Sequence, residues 1–164
     1  MPPEGHEADR LYDSFGASLY RYALMILANR EAAEDVLQQV FVALLDRGAR
    51  HIENEEHYLR RAVRNGCYSV LRHEKVRGTA PVDEALLEAI AADRAGVSEE
   101  DRLTLAGAIR ALPADQREVL HLHVFEGRTF KDVAEITGET LNTVASRYRY
   151  ALDKLKAMLT ESKS

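Results

Sequence analysis

Asn142, Thr143, Ser146, Arg147, Arg149 and Tyr150 lie close together late in the chain, and each carries a hydrogen-bonding group. On a wheel of about 3.6 residues per turn, Asn142, Ser146, Arg149 and Asp153 share one side. Thr143, Arg147 and Tyr150 fall on its flank. From Leu141 the apolar residues follow at Val144, Tyr148, Ala151, Leu152 and Leu155, which is helical spacing. An open helical face of amides, hydroxyls and two guanidiniums suits phosphates and guanine edges. An ordinary bundle helix with a solvated face has the same pattern, and this segment alone leaves both readings open.

Such a face must be held by the elements before it. Phe130, Val133, Ala134 and Ile136 give the preceding segment an apolar side, and Gly138 can take the left-handed conformation of a helix stop. Thr140 is a good N-cap for the next helix. Small Ala134 permits a close crossing, and Val144 locks the second helix onto the first. The combination predicts a helix-turn-helix whose second helix enters the DNA major groove. Upstream, Ser98-Glu-Glu-Asp opens a helix carrying Leu103, Leu105, Ala106, Ile109 and Leu112. Pro113 stops it and opens another, Ala114 to Phe125, which ends at Gly127. Residues 160–164 are expected to fray.

A second cluster with nucleic-acid chemistry lies earlier. A long helix is predicted over Glu55–Lys75, with Tyr58, Leu59, Ala62, Val63, Gly66, Val70 and Leu71 as its core. Arg60, Arg61, Arg64 and Arg72 project from it, interleaved with Tyr58 and Tyr68. Exposed single-stranded bases stack on aromatics while cations hold the backbone. A solvated basic face with core tyrosines fits equally well. Two helices precede it. Residues 9–29 carry Leu11, Tyr12, Phe15, Leu19, Tyr22, Ala23, Ile26 and Leu27, with Asn29 as the stop. Residues 31–46 carry Ala32, Val36, Val40, Phe41, Leu44 and Leu45 inward, and Gly48 closes them. From Gly78-Thr-Ala-Pro81 the pattern breaks into an acidic tether, with a weak helical patch at Asp83–Ala92. Nothing reads as strand.

The net charge of −5 looks wrong for a nucleic-acid binder. Its distribution resolves this, because residues 58–77 and 140–164 are basic islands in an acidic chain. Local potential governs docking on a polyanion, so binding by the chain alone should be weak. At 164 residues the chain holds one large or two small domains. The N-terminus has neither a basic start nor an apolar core, and no apolar run is long enough to span a bilayer. A cytoplasmic protein without membrane insertion is expected. The single cysteine, Cys67, excludes an internal disulfide and reads as a small packed side chain. His121 and His123 point to different faces of one helix and are poor metal partners. No phosphate loop, nucleophile elbow or carboxylate pair stands out, so no catalytic residue, metal site or cofactor is expected.

Residues 9–158 resemble the extracytoplasmic-function group of bacterial sigma factors, the promoter-recognition subunits of RNA polymerase. Four stretches in family order carry the resemblance. Glu31-Ala-Ala-Glu-Asp-Val-Leu-Gln-Gln-Val-Phe41 resembles the polymerase-clamp-binding helix, and Tyr58-Leu-Arg-Arg-Ala-Val-Arg-Asn-Gly-Cys-Tyr-Ser-Val-Leu-Arg72 the promoter-melting helix. Ala111-Leu-Pro-Ala-Asp-Gln-Arg-Glu-Val-Leu120 resembles the opening of the C-terminal domain, and Thr143-Val-Ala-Ser-Arg147 the start of the recognition helix.

The resemblance implies an all-α chain of two small helical domains joined by a flexible linker, the second a winged-helix-like helix-turn-helix. The domains are a region 2-like one over residues 8–77, a linker over 78–98, and a region 4-like one over 99–160. It implies that Glu34, Asp35, Gln38, Gln39 and Phe41 bind polymerase. The 48–56 loop and the third helix would open the −10 element, through Asn54, Tyr58, Arg61, Arg64, Asn65 and Arg72. Thr129, Lys131, Asn142, Thr143, Ser146, Arg147, Arg149 and Tyr150 would bind the −35 element. The implied partners are core RNA polymerase (the clamp coiled coil of its largest subunit and the flap of the second-largest), promoter DNA and an anti-sigma protein. Three positions depart from the family pattern: Ala145 where Lys is common, Tyr58 where Trp is usual and Gln39 where Glu is usual. Two alternatives remain, a stand-alone helix-turn-helix regulator and an interaction-only decoy of polymerase or an anti-sigma factor.

Overall fold

A computed structural model describes residues 5–48, 52–73 and 98–162, and the expected 78–98 linker lies almost wholly outside them. The chain divides into two compact units, Met1–Val76 and Arg77–Ser164. All elements among the described residues are helical.

The first unit is built on α1 (Gly5–Leu27), α2 (Arg30–Arg47) and α3 (Glu55–His73). Every side chain from Tyr22 to Leu27 is buried, and α1 packs against both α2 and α3. That burial, not propensity, supplies most of the stability of such a helix. Asn29 was the expected stop of α1, but Ala28 takes that place with φ 51. Asn29 instead caps α2, its Oδ1 accepting from the Ala32 backbone N–H at 2.9 Å. Asn29 thus takes the N-cap role its amide oxygen favours, and Ala28 is left with the left-handed stop that alanine rarely adopts.

The inward faces also differ from the predicted ones. On α2 the buried set is Ala33, Val36, Leu37, Phe41 and Leu44, while Leu45 is exposed. On α3 it is Leu59, Arg60, Val63 and Cys67. Arg60 does not project. Its guanidinium lies inside, 4.7 Å from the Tyr22 ring centroid and 3.8 Å from Glu56. Aromatic and carboxylate partners make that burial tolerable. Gly66 faces α2 so closely that a Cβ there would lie 2.8 Å from Cγ1 of Val36.

The second unit contains α4 (Glu99–Arg110), α5 (Ala114–Leu120), α6 (Phe130–Thr137) and α7 (Leu141–Ser162). Of the residues 160–164 expected to fray, 160–162 continue α7 and 163–164 lie outside the described residues. Ser98 caps α4 through Asp101 N–H at 3.1 Å. Buried Arg117 donates to the carbonyls of Arg110 and Leu112, satisfying acceptors that the end of α4 leaves open. After Leu120 the helix widens into a π-turn, His121–Phe125, closed by Glu126 N–H on the His121 carbonyl at 3.0 Å. No strand occurs among the described residues of this unit, so its helix-turn-helix has no β-wing there.

Candidate nucleic-acid interface

The turn between α6 and α7 is fixed by three local devices. Thr129 and Asp132 form a capping box at the start of α6, with Asp132 N–H on Thr129 Oγ1 at 3.1 Å. Gly138 stands at φ 72, where a Cβ would be strained, and its N–H returns to the Ala134 carbonyl. Thr140 Oγ1 accepts from Thr143 N–H at 3.1 Å and donates to Thr143 Oγ1 at 2.9 Å. Beneath the turn, Val133, Ile136, Val144 and Ala151 are buried. The π-turn adds His123, whose ring lies 4.5 Å from Phe130 and 4.8 Å from Tyr148. One aromatic cluster therefore touches both helices of the motif.

This frame leaves Asn142, Arg149 and Tyr150 exposed and Ser146 and Thr143 half-buried on the outer side of α7. Lys131 and Thr129 are exposed at the start of α6. Arg149 and Tyr150 keep company, the guanidinium 5.6 Å from the ring. Arg147 behaves differently. Its side chain is 24% exposed, with Nε 3.3 Å from Asp115 Oδ2 and Nη2 3.4 Å from Glu139 Oε1. Two residues expected in the apolar stripe stand out in water: Leu141 at 55% and Leu152 at 41% exposed.

In the first unit, Asn54, Tyr58, Arg61 and Asn65 line one open groove of about 780 Å³. They recur along one face of α3, at the i, i+4, i+7 and i+11 spacing of a single helical stripe. Asn54 also anchors the stripe, its Oδ1 accepting from His57 N–H at 3.1 Å. Tyr58, expected in the core, is 41% exposed, which frees its ring to stack. Arg64 lies apart from this groove, its guanidinium 4.6 Å from the Tyr68 ring. Arg72 is exposed near the end of α3. Sequence reasoning missed Arg47 and His57 on the groove wall. His57 lies one turn from Asn54 on the same helical stripe, which was the signal available, whereas Arg47 ends α2 and no spacing within α3 points to it.

A second groove of similar volume runs between α1 and α2, lined by Glu34, Gln38 and Phe41 among others. Asp35 and Gln39 are exposed on the adjoining side of α2. Phe41 itself is buried, packed edge-on at 5.2 Å against Tyr12, so it shapes this surface from below. Exposed Tyr12, Val42 and Leu45 continue the groove as an apolar rim.

Two family models match the chain: sigma-70 region 2 over residues 11–77 and sigma-70 region 4 over residues 102–155. Among relatives, the ECF RNA polymerase sigma factor SigM of Mycobacterium tuberculosis is 29% identical over 154 residues, spanning 92% of this chain and 76% of its own. The ECF RNA polymerase sigma factor SigL of the same organism is 27% identical, spanning 92% of this chain and 88% of its own. Among solved structures, the sigma factor RpoE in complex with the anti-sigma factor NepR from Bartonella quintana gives a TM-score of 0.66 at 23% identity. That match covers 93% of this chain and 96% of that one, and shows a shared fold.

Proposed function

The chain belongs to the sigma-70 family, in its extracytoplasmic-function group, and on that premise we propose that it binds core RNA polymerase and directs it to begin transcription at a particular set of promoters. The carrying observation is the pairing, in one chain, of a helix-turn-helix face with a tyrosine- and arginine-lined groove on a separate unit. Duplex DNA suits the first and single-stranded bases suit the second. A stand-alone regulator has no use for the groove.

We assign residues 8–77 to polymerase binding and −10 opening, 99–160 to the −35 element and 78–98 to the link between them. Tyr58 stacks a non-template base drawn from the duplex, while Arg61, Arg64 and Arg72 follow the backbone and Asn54 and Asn65 supply amides to its edge. Asn142, Thr143, Ser146, Arg149 and Tyr150 meet the −35 duplex, with Thr129 and Lys131 on its phosphates. Arg147, placed among them by the sequence, stands apart because two carboxylates already hold it. Glu34, Asp35, Gln38 and Gln39 on α2 engage the clamp coiled coil, with Phe41 supporting them from beneath, and region 4 engages the flap.

The chain itself catalyses nothing. Specificity is its contribution, and the chemistry belongs to polymerase. An anti-sigma protein is a third partner, as one accompanies the solved relative. Among the described residues no helix is long and apolar enough to cross a membrane, and a cytoplasmic site of action fits these partners.

Run-off transcription with purified core polymerase on a random-promoter pool tests the proposal. The expected result is capture of the chain by core and a defined start-site preference. Tight duplex binding without polymerase would favour the stand-alone regulator, and capture without initiation the decoy.

A further inference from the structure

We propose that Arg147 is a positioning residue, a tie that sets the recognition helix against α5 and against its own turn, and not a contact to DNA. The proposal rests on the reading of α7 as the −35 recognition helix. Three pieces of the second unit meet at this one guanidinium. Asp115 lies in the first turn of α5, Glu139 lies in the bend between α6 and α7, and Arg147 lies in the second turn of α7. The planar fork of arginine can serve two carboxylates from two of its edges at once, which a lysine point charge cannot.

Charge balance points the same way. The trio sums to −1 at neutral pH, one cation against two anions. A guanidinium offered to a phosphate with two carboxylates within 3.4 Å would bring those anions toward the DNA as well. Among the described residues Arg149 faces no carboxylate partner, and it is exposed against the Tyr150 ring, so it is the arginine suited to phosphate or guanine. The two arginines sit two residues apart on the helix and do opposite jobs.

Ordinary electrostatics predicts that deleting acids near a DNA-binding face tightens binding. The tie predicts the reverse. Holoenzyme would be reconstituted from core polymerase and the full chain, and promoter occupancy measured against salt on a promoter selected by the wild type. Asp115→Asn/Glu139→Gln should weaken occupancy by roughly 3- to 30-fold, the range expected for a broken local network. Arg147→Gln should weaken it by a similar factor, and the triple variant should add nothing further. Arg149→Gln should lower the slope of log affinity against log salt by about 1, the signature of one lost phosphate contact. Arg147→Gln should leave that slope unchanged.

Unchanged or tighter binding by Asp115→Asn/Glu139→Gln, with a slope reduced by about 1 in Arg147→Gln, overturns the tie and makes Arg147 a phosphate ligand. The carboxylate variants alter partly exposed side chains, so they decide the matter even if Arg147→Gln folds poorly. Loss of no promoter occupancy in Arg149→Gln would instead strike at the recognition-helix reading, whatever the carboxylate variants do.

Discussion

Replacing Gly66 by alanine sets two well-known effects against each other. Within a helix interior, alanine is favoured over glycine by about 1 kcal/mol. At this position the new Cβ would stand 2.8 Å from Cγ1 of Val36, with the Cβ and Cγ2 of Val36 at 3.8 Å. Carbon atoms rest at about 3.5–4.0 Å, so one contact is some 0.7 Å too short. Val36 is buried, and a β-branched side chain in a helix has essentially one rotamer, so it cannot swing clear. Overpacking of this kind costs about 1–3 kcal/mol. The clash should win by about 1 kcal/mol, lowering the melting temperature of the first unit by about 4–8 °C. Circular dichroism melts of the full chain would show it. Val36→Ala makes room, so the double variant should lose less than the sum of the two singles, by at least ~0.5 kcal/mol. A more stable Gly66→Ala protein, additive with Val36→Ala, would refute the idea that this glycine sets the spacing of α2 and α3.

Four further outcomes follow from the same geometry. Asp35→Arg should abolish capture by core polymerase in a pulldown while leaving the helical content unchanged. Arg149→Ala should lose about 1–3 kcal/mol of promoter discrimination, read as run-off transcription from matched and mismatched −35 elements. Tyr58→Ala should slow strand opening on a permanganate footprint, and Tyr58→Trp should preserve it, since stacking on the ring is worth about 1–3 kcal/mol per base. Thr129→Ala removes the capping box of α6 and should destabilise the second unit by about 0.5–2 kcal/mol in a denaturant titration.

Much of this was legible in the residue pattern because local rules govern it. Gly138, Thr140, Ser98 and Pro113 are stops and caps whose effect is decided within four residues, and each acts where expected. Asn29 apart, whose role is settled three residues away at Ala32, the exceptions turn on tertiary packing. Arg60 reads as a surface cation until Tyr22, on another helix, is seen beneath it. Arg147 reads as an unpaired surface cation until Asp115 appears beside it, and no periodicity links those two positions. Leu45 and Leu152 read as core because they are leucines at core spacing, yet the stripe each helix buries is narrower than its apolar content. The groove on α3 was half visible: its members share a stripe, but that they enclose a cavity depends on Arg47 and Gly48, brought there by the end of α2.

The π-turn at His121–Phe125 has a reach beyond its own five residues. It carries the ring of His123 to Phe130 and Tyr148, and Tyr148 is the immediate neighbour of Arg149. A stretch outside the proposed DNA face thus helps fix the azimuth of α7, the helix proposed to read the −35 element. Promoter choice in this protein can drift through insertions or deletions there, with every base-facing side chain left intact.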